Sequence, residues 1–381
     1  MNQKKKSIVK KNTIFFIFII LVPILILGKI KDPDLRKIIE PVEIFPKLGK
    51  LQHIDGDWSK PVNISNSSII SWDPVVGAGN DGKAYAVWVE GKGAGKKIYF
   101  NTNKNGSWGT SRNITGGITL LEGPWPDLFV ENNGTVHLVF TGKYNRNYET
   151  FYNRYRDGSW SGPIDISETW YGGSAYSSIS RDNSNHFRYV VWQDNENIEW
   201  EIMFRYKNPN TTYWSNIDVI SPNSTRVYTP EITVDGNGKV HVVWQDRKYP
   251  NNSVVYYTHN PVPTYKNKWI YPIAISDKTL LDWCEPQITS DNTGNVYVVW
   301  EDRNTGNNEI FFRKKINGNW KPIENISNTF TDSLSPTVAV DKNSGDIYVV
   351  WQERSGNWQV FFKYFKNGQW SQPENLTGNS S

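Results

Sequence analysis

The 381-residue chain has one cysteine, Cys284, two methionines and five histidines. A lone thiol excludes an internal disulfide framework and a cysteine-built metal site, so the fold must be held by its own core. His53, His137, His186, His241 and His259 show no metal-ligand spacing, and no nucleophile elbow, phosphate-binding loop or CxxC pair occurs. Charge is scarce too. The formal net charge is +4, and the five lysines among the first eleven residues more than account for it. No basic stripe remains for nucleic acid. No cofactor and no metal is expected.

Long apolar runs are confined to one place. Residues 1–28, MNQKKKSIVKKNTIFFIFIILVPILILG, put a lysine-rich start before an apolar run from about Ile14 to Leu27. The run is short against the roughly 20 residues of a comfortable membrane span. No small-x-small cleavage site follows it, and the chain continues into Lys29-Ile30-Lys31. The reading favoured is a signal anchor, lysines in the cytoplasm and the body outside the cell membrane. The alternative is a cleaved signal peptide and a secreted protein. Residues 29–55 read as a juxtamembrane spacer with Pro33, Pro41 and Pro46 and a short helix around Asp34–Glu40. Residues 56–381 form the body.

What the body has in abundance is a repeat. From Glu285 to Trp320 the chain reads EPQITSDNTGNVYVVWEDRNTGNNEIFFRKKINGNW, three strand-like runs before a fourth that opens at Trp320. Turn formers such as DNTGN and NGN separate them, the signature of an antiparallel meander. VYVVW is apolar on both pleat faces and must be covered on both sides. The strand ending at Trp300 recurs at Trp88, Phe140, Trp192, Trp244 and Trp351. The fourth-strand tryptophan recurs as Trp58, Trp108, Trp160, Trp214, Trp269, Trp320 and Trp370. A period of about fifty residues is that of propeller blades. The expectation is an all-β, six-bladed β-propeller of four-stranded antiparallel blades. Seven tryptophan strands accompany six copies of the rest, so DWSKPVNIS at the start and QWSQPENLT at the end compete for one outer edge.

Turns after the first and third strands of each copy, such as Asp235-Gly-Asn-Gly and Asn317-Gly, are short and fall on one face. The other face carries long, dissimilar loops, where function usually sits. There the linking loops bring an aromatic close to the start of nearly every inner strand: Trp72, Trp125, Tyr176, Tyr228 and Trp283, with Leu334 in the sixth copy. These are expected to ring the funnel mouth as a stacking platform for sugar rings. Two residues after the VVW tryptophan stand Glu90, Asp194, Asp246, Asp302 and Glu353, followed by Arg247, Arg303 and Arg354 in three copies. Asp194, Asp246, Asp302, Arg247 and Arg303 join the candidate ligand-binding set. Asp127, Glu231 and Gln287 begin inner strands and should line the funnel. A catalytic pair needs two carboxylates in different environments. Asp127 and Glu231 are the candidates for acid and base.

The stretches VVWQDRKYPNNSVVYY and VVWEDRNTGNNEIFF resemble the sialidase-like propellers with BNR or Asp-box repeats, over roughly residues 57–377. Asp157-Gly158-Ser159-Trp160 and Asn317-Gly318-Asn319-Trp320 keep the turn and tryptophan of a shortened Asp-box. The resemblance implies the propeller fold and, for true sialidases, an arginine triad, a Tyr–Glu nucleophile pair and an acidic proton donor. Here no early arginine motif opens the first copy: Arg112 is the first arginine after Arg36. The function expected is a membrane-tethered extracellular propeller that binds a glycan or a partner protein at the funnel mouth. The alternatives are a glycoside hydrolase or lyase using Asp127 and Glu231, and a structural cell-envelope protein.

Overall fold

The computed structural model describes residues 61–377, apart from 105, 121–122, 145–146, 197, 223, 225, 250–251, 265–267 and 280–282. The targeting segment 1–28, the spacer with its helix, and Trp58 lie outside the described residues. Six antiparallel sheets follow one another along the chain. Their inner strands are Ser71–Ala78, Asp127–Val130, Ser174–Arg181, Val227–Val234, Gln287–Ser290 and Ser333–Val340, in blades 1 to 6. The second strands are Lys83–Glu90, Val136–Tyr144, Arg188–Asp194, Val240–Tyr249, Val296–Asp302 and Ile347–Ser355. This is the six-bladed propeller that the repeat predicts. In blades 2, 5 and 6 the outer strand is split in two around a proline, as in Gln369–Trp370 and Glu374–Asn375 flanking Pro373. Proline has no N–H for the ladder and is tolerated at such an edge. Among the described residues no helix is long and apolar enough to cross a membrane.

The second strand is the buried one, as its two apolar faces require. Every residue of Val296–Asp302 is buried. Trp88, Trp192, Trp244, Trp300 and Trp351 are enclosed and rank among the largest buried side chains. Each outer-strand tryptophan from blade 2 onward meets a third-strand aromatic of the preceding blade edge to face: Trp160 on Phe100, Trp214 on Tyr152, Trp269 on Phe204, Trp320 on Tyr257 and Trp370 on Phe312. These T-shaped pairs, at centroid separations of 4.9–5.2 Å, add an orientational preference to burial. The free cysteine, Cys284, is fully buried between blades 4 and 5.

The competition between the two terminal strands resolves cleanly. QWSQPENLT pairs with its own third strand, Asn357–Lys366, and completes blade 6. Elsewhere an outer-strand isoleucine packs into the cluster shared with the following blade: Ile114, Ile166, Ile220, Ile275 and Ile326. Blade 1 receives the same contact from the N-terminal segment, where Ile64 lies against Ala86 and Trp88. The described residues of that segment, 61–70, cover the first blade and belong to no strand.

On the short-turn face the histidines are packing residues with polar ties. His137 bridges Glu131 and the Tyr152 hydroxyl, and His241 bridges Asp235 and the Tyr257 hydroxyl. Burial lowers both imidazole pKa values. Turns of neighbouring blades also touch directly. A Cβ on Gly236 would stand 2.3 Å from the Asn292 carbonyl oxygen.

Candidate functional site

The funnel is built by an irregularity repeated in every inner strand. One residue per blade has positive φ: Asp73, Trp125, Tyr176, Thr229, Glu285 and Ser335, from 34° at Glu285 to 52° at Tyr176. In blades 1, 3, 4 and 6 the pairing register slips across this point, between Trp72 and Val75, Ala175 and Ser178, Tyr228 and Glu231, and Leu334 and Thr337. In blades 2 and 5 pairing starts only after it, at Asp127 and Gln287. The bulge turns one side chain per blade toward the mouth. Two residues later comes a lower ring: Val75, Asp127, Ser178, Glu231, Gln287 and Thr337. Each of these pairs with the valine that precedes the blade's central aromatic, which fixes their equivalence.

This geometry separates aromatics that the sequence groups together. Trp125 and Tyr176 stand at the positive-φ position. Trp72 and Tyr228, with Leu334, stand one residue before it, and Trp283 two before. They are therefore not a symmetric ring but a chain over blades 2 to 5. Trp125 stacks on Tyr176 at 3.9 Å between centroids, Tyr176 lies 6.4 Å from Trp283, and Trp283 meets Tyr228 at 5.2 Å. The Arg247 guanidinium sits over Tyr228 and Trp283 at 5.8 and 5.5 Å. Trp72 stands apart, under the Lys96 ammonium at 4.6 Å. Trp283 is exposed, as are Trp170 and Tyr171 on the loop leading into blade 3.

The repeated carboxylates lie elsewhere. Asp194, Asp246 and Asp302 are buried, not presented at the mouth. Asp194 accepts from the Trp192 indole N–H and the Thr169 hydroxyl, Asp246 from the Ser224 hydroxyl, and Asp302 from the Asn304 amide. Glu90 and Glu353 hold Trp88 and Trp351 likewise. A charge repeated in five of the six blades belongs to the blade. Arg303 is exposed, and its backbone N–H reaches the Thr279 hydroxyl.

Asp127 and Glu231 do come together on the lower ring, with Ser178 between them. Asp127 accepts two backbone N–H groups, Leu128 and Ile179, each at 2.8 Å. Glu231 accepts from the Ser178 hydroxyl at 2.8 Å and the Gln287 amide at 2.9 Å. Burial raises both carboxyls, and the charge of Asp127 pushes Glu231 up further, whereas the two amides pull Asp127 back down. The pair thus divides into Asp127, the better anion, and Glu231, which holds the proton. A hydroxyl-bridged acid and base can donate and take protons at neutral pH.

Sequence reasoning missed a second acidic group. Asp73 and Glu285, positive-φ residues of blades 1 and 5, repel one another, and Glu301 beside Glu285 joins them. Burial raises Asp73 to about 6 and Glu301 to about 8. The signal was present as the dipeptides Asp73-Pro74 and Glu285-Pro286, which align with Trp125-Pro126, Thr229-Pro230 and Ser335-Pro336. Among the described residues no three His, Cys, Asp or Glu side chains are arranged to hold a metal ion. A cavity of about 300 Å³ opens on the short-turn face between blades 1 and 2. There Lys83 pairs with Asp81 and Arg156 with Asp157.

No family model and no curated protein sequence matches the chain. Solved structures do. A Dyadobacter fermentans protein of unknown function aligns with TM-score 0.55 at 11% identity, over 78% of this chain and 95% of that one. A Hadza microbial sialidase aligns with TM-score 0.53 at 12% identity, over 81% and 68%. An ulvan lyase, a polysaccharide lyase, aligns with TM-score 0.51 at 11% identity, over 77% and 78%. The fold is that of the sialidase-like six-bladed propellers. At these identities the likeness speaks for the architecture alone. The mouth lies on the face of the long loops, where the inner strands converge.

Proposed function

We propose that this protein is a glycan-binding propeller whose binding surface is the funnel mouth. The aromatic chain from Trp125 through Tyr176 and Trp283 to Tyr228 supports this reading. Aromatic faces offer the apolar C–H face of a pyranose a large contact at little conformational cost. Trp170 and Tyr171, largely exposed on the same face, extend the surface outward. In this proposal the N-terminal apolar run tethers the propeller at the cell membrane with the mouth facing outward. A second reading follows from the Asp127–Ser178–Glu231 arrangement: a glycoside hydrolase or lyase in which Glu231 donates the proton and Asp127 acts as the base.

One experiment addresses both. The full chain is incubated on a glycan array, and retention and products are read together. A binder retains glycans, loses them about tenfold on Trp283→Ala, and keeps them on Asp127→Asn and Glu231→Gln. Cleavage of any retained glycan, abolished by those two amide changes, replaces the binding reading with the enzyme. A folded wild type that retains no glycan refutes both.

A further inference from the structure

The mouth is lopsided. Over blades 2 to 4 it is filled by Trp125, Tyr176 and Tyr228, which Trp283 joins from the loop before blade 5. At the positive-φ positions of blades 5, 6 and 1 stand Glu285, Ser335 and Asp73, short or acidic, and Glu285, Ser335 and Thr337 are exposed. An open acidic half thus abuts an aromatic half, and Trp283 and Glu285 are two residues apart.

Three features in or beside the acidic half are not accounted for by packing alone. The first is Glu301. It occupies in blade 5 the place of Gln193 and Gln245 in blades 3 and 4. All three side chains accept a backbone N–H in or just before the next blade's inner strand, at Ser335, Thr229 and Cys284. An amide serves that bond in two blades, so packing does not ask for a carboxyl here. The second is Asp73, whose Oδ2 is buried without a hydrogen-bond partner, although Lys96 offsets its charge in part. The third is a pair of buried hydroxyls in the neighbouring blades, Thr229 in blade 4 and Ser177 in blade 3. Thr229 and Ser177 are 8% and 4% exposed, and the oxygen of each lacks a hydrogen-bond partner. Buried polar groups left unpaired in this way are costly unless a ligand completes them.

We propose that the sugar accepted at this mouth carries a free amine, its ring lying on the aromatic chain and its ammonium between Asp73 and Glu285. The inference rests on the glycan-binding reading of the same site and names the ligand class. An ammonium supplies donors, which these carboxylates lack, and relieves the repulsion between them. Glu301, next to Glu285, holds its proton and leaves the charge at this half of the mouth to Asp73 and Glu285. A carboxylated or sulfated sugar would instead meet the charges of Asp73 and Glu285 against those of Lys96 and Arg247. Desolvation raises the carboxyl pKa values of both Asp73 and Glu285, and at Asp73 the charge of Glu285 raises it further while Lys96 lowers it.

The test uses calorimetric titration of the full chain with two probes that differ only in acylation: a glucosamine tetramer and its fully N-acetylated form, at pH 6 and low salt. A charge-assisted pair to a carboxylate makes the amine form bind about tenfold tighter or more. Glu285→Gln, at an exposed position, abolishes that preference and leaves the acetylated form unchanged, and added salt narrows the preference in the wild type. Equal or tighter binding of the acetylated tetramer overturns the inference. So does a sialylated or uronate oligosaccharide that binds as well as the amine. If neutral sugars bind in a Trp283-dependent way without amine preference, the glycan reading survives and only this inference fails. If no saccharide binds, both fail.

Discussion

Replacing Glu301 by glutamine tests the electrostatics of the mouth. The side chain is 7% exposed, and its Oε1 accepts the Ser335 N–H at 2.5 Å. Burial raises the carboxyl from an ordinary 4.5 to about 8, the Ser335 amide lowering it and the Glu285 charge raising it further. A carboxyl whose folded pKa exceeds its unfolded value contributes stability below pH 4.5, and that contribution is lost as pH rises toward 8. At pH 7 the unfolded chain is ionised here and the native protein still holds the proton. The resulting penalty is 2.5 pH units at about 1.36 kcal/mol each, so about 3 kcal/mol. Glutamine keeps the acceptor for Ser335, as Gln193 and Gln245 do for Thr229 and Cys284. It carries no charge to titrate.

Glu301→Gln is therefore expected to stabilise the propeller by about 3 kcal/mol at pH 7 and by almost nothing at pH 4. Urea unfolding of both proteins at the two pH values measures this, provided the slopes agree. The other raised carboxyls titrate in both proteins and cancel in the difference. An equal gain at pH 4 and pH 7 would mean that packing, not ionisation, separates the two residues. A loss at pH 7 would refute the argument outright, because the carboxylate would then be ionised and paired.

Two further outcomes concern the ring itself. Trp300→Ala empties a fully buried site between blades 4 and 5. It is expected to cost about 3–5 kcal/mol in urea unfolding, and a loss under about 1 kcal/mol would place the indole outside the core. Gly236→Ala drives a Cβ to 2.3 Å from the Asn292 backbone, which cannot rotate away. A loss of about 1–3 kcal/mol is expected, whereas Gly318→Ala, with open space around it, should show only the smaller strain of its positive φ.

The blades were legible because two signals agree along the whole chain. Apolar faces on both sides of VVW demand stacking, and the tryptophan at a fixed offset recurs in every copy. The C-terminal closure was legible only as a competition, since DWSKPVNIS and QWSQPENLT carry the same pattern and only packing distinguishes them. The mouth was legible in its composition but not in its register. Counting aromatics near each inner strand placed Trp72, Trp125, Tyr176, Tyr228 and Trp283 in one class. A bulge changes which residue faces the axis, and it leaves no period in the hydrophobic pattern. Asp194, Asp246 and Asp302 were drawn to the surface by their charge, although each is held inside by an indole, a hydroxyl or an amide next to it.

The bulge also shows where this sequence departs from what its backbone alone would choose. Positive φ is the province of glycine, and other residues adopt it at a cost of about 1–2 kcal/mol. None of the six positions is glycine: they carry Asp73, Trp125, Tyr176, Thr229, Glu285 and Ser335. Thr229 is β-branched, which makes positive φ there a stronger exception. In five blades proline follows, which further restricts the residue before it. Repetition around the ring shows that the fold demands the bulge. Repetition cannot explain the side chains, because the six differ while the backbone is the same. A glycine would give each blade its turn without strain, but it would leave the mouth bare. Trp125 and Tyr176 instead stack on each other, and Asp73 and Glu285 hold charge beside an open space. The strain persists where side chains reach the mouth, which is the direction in which backbone outliers inform function.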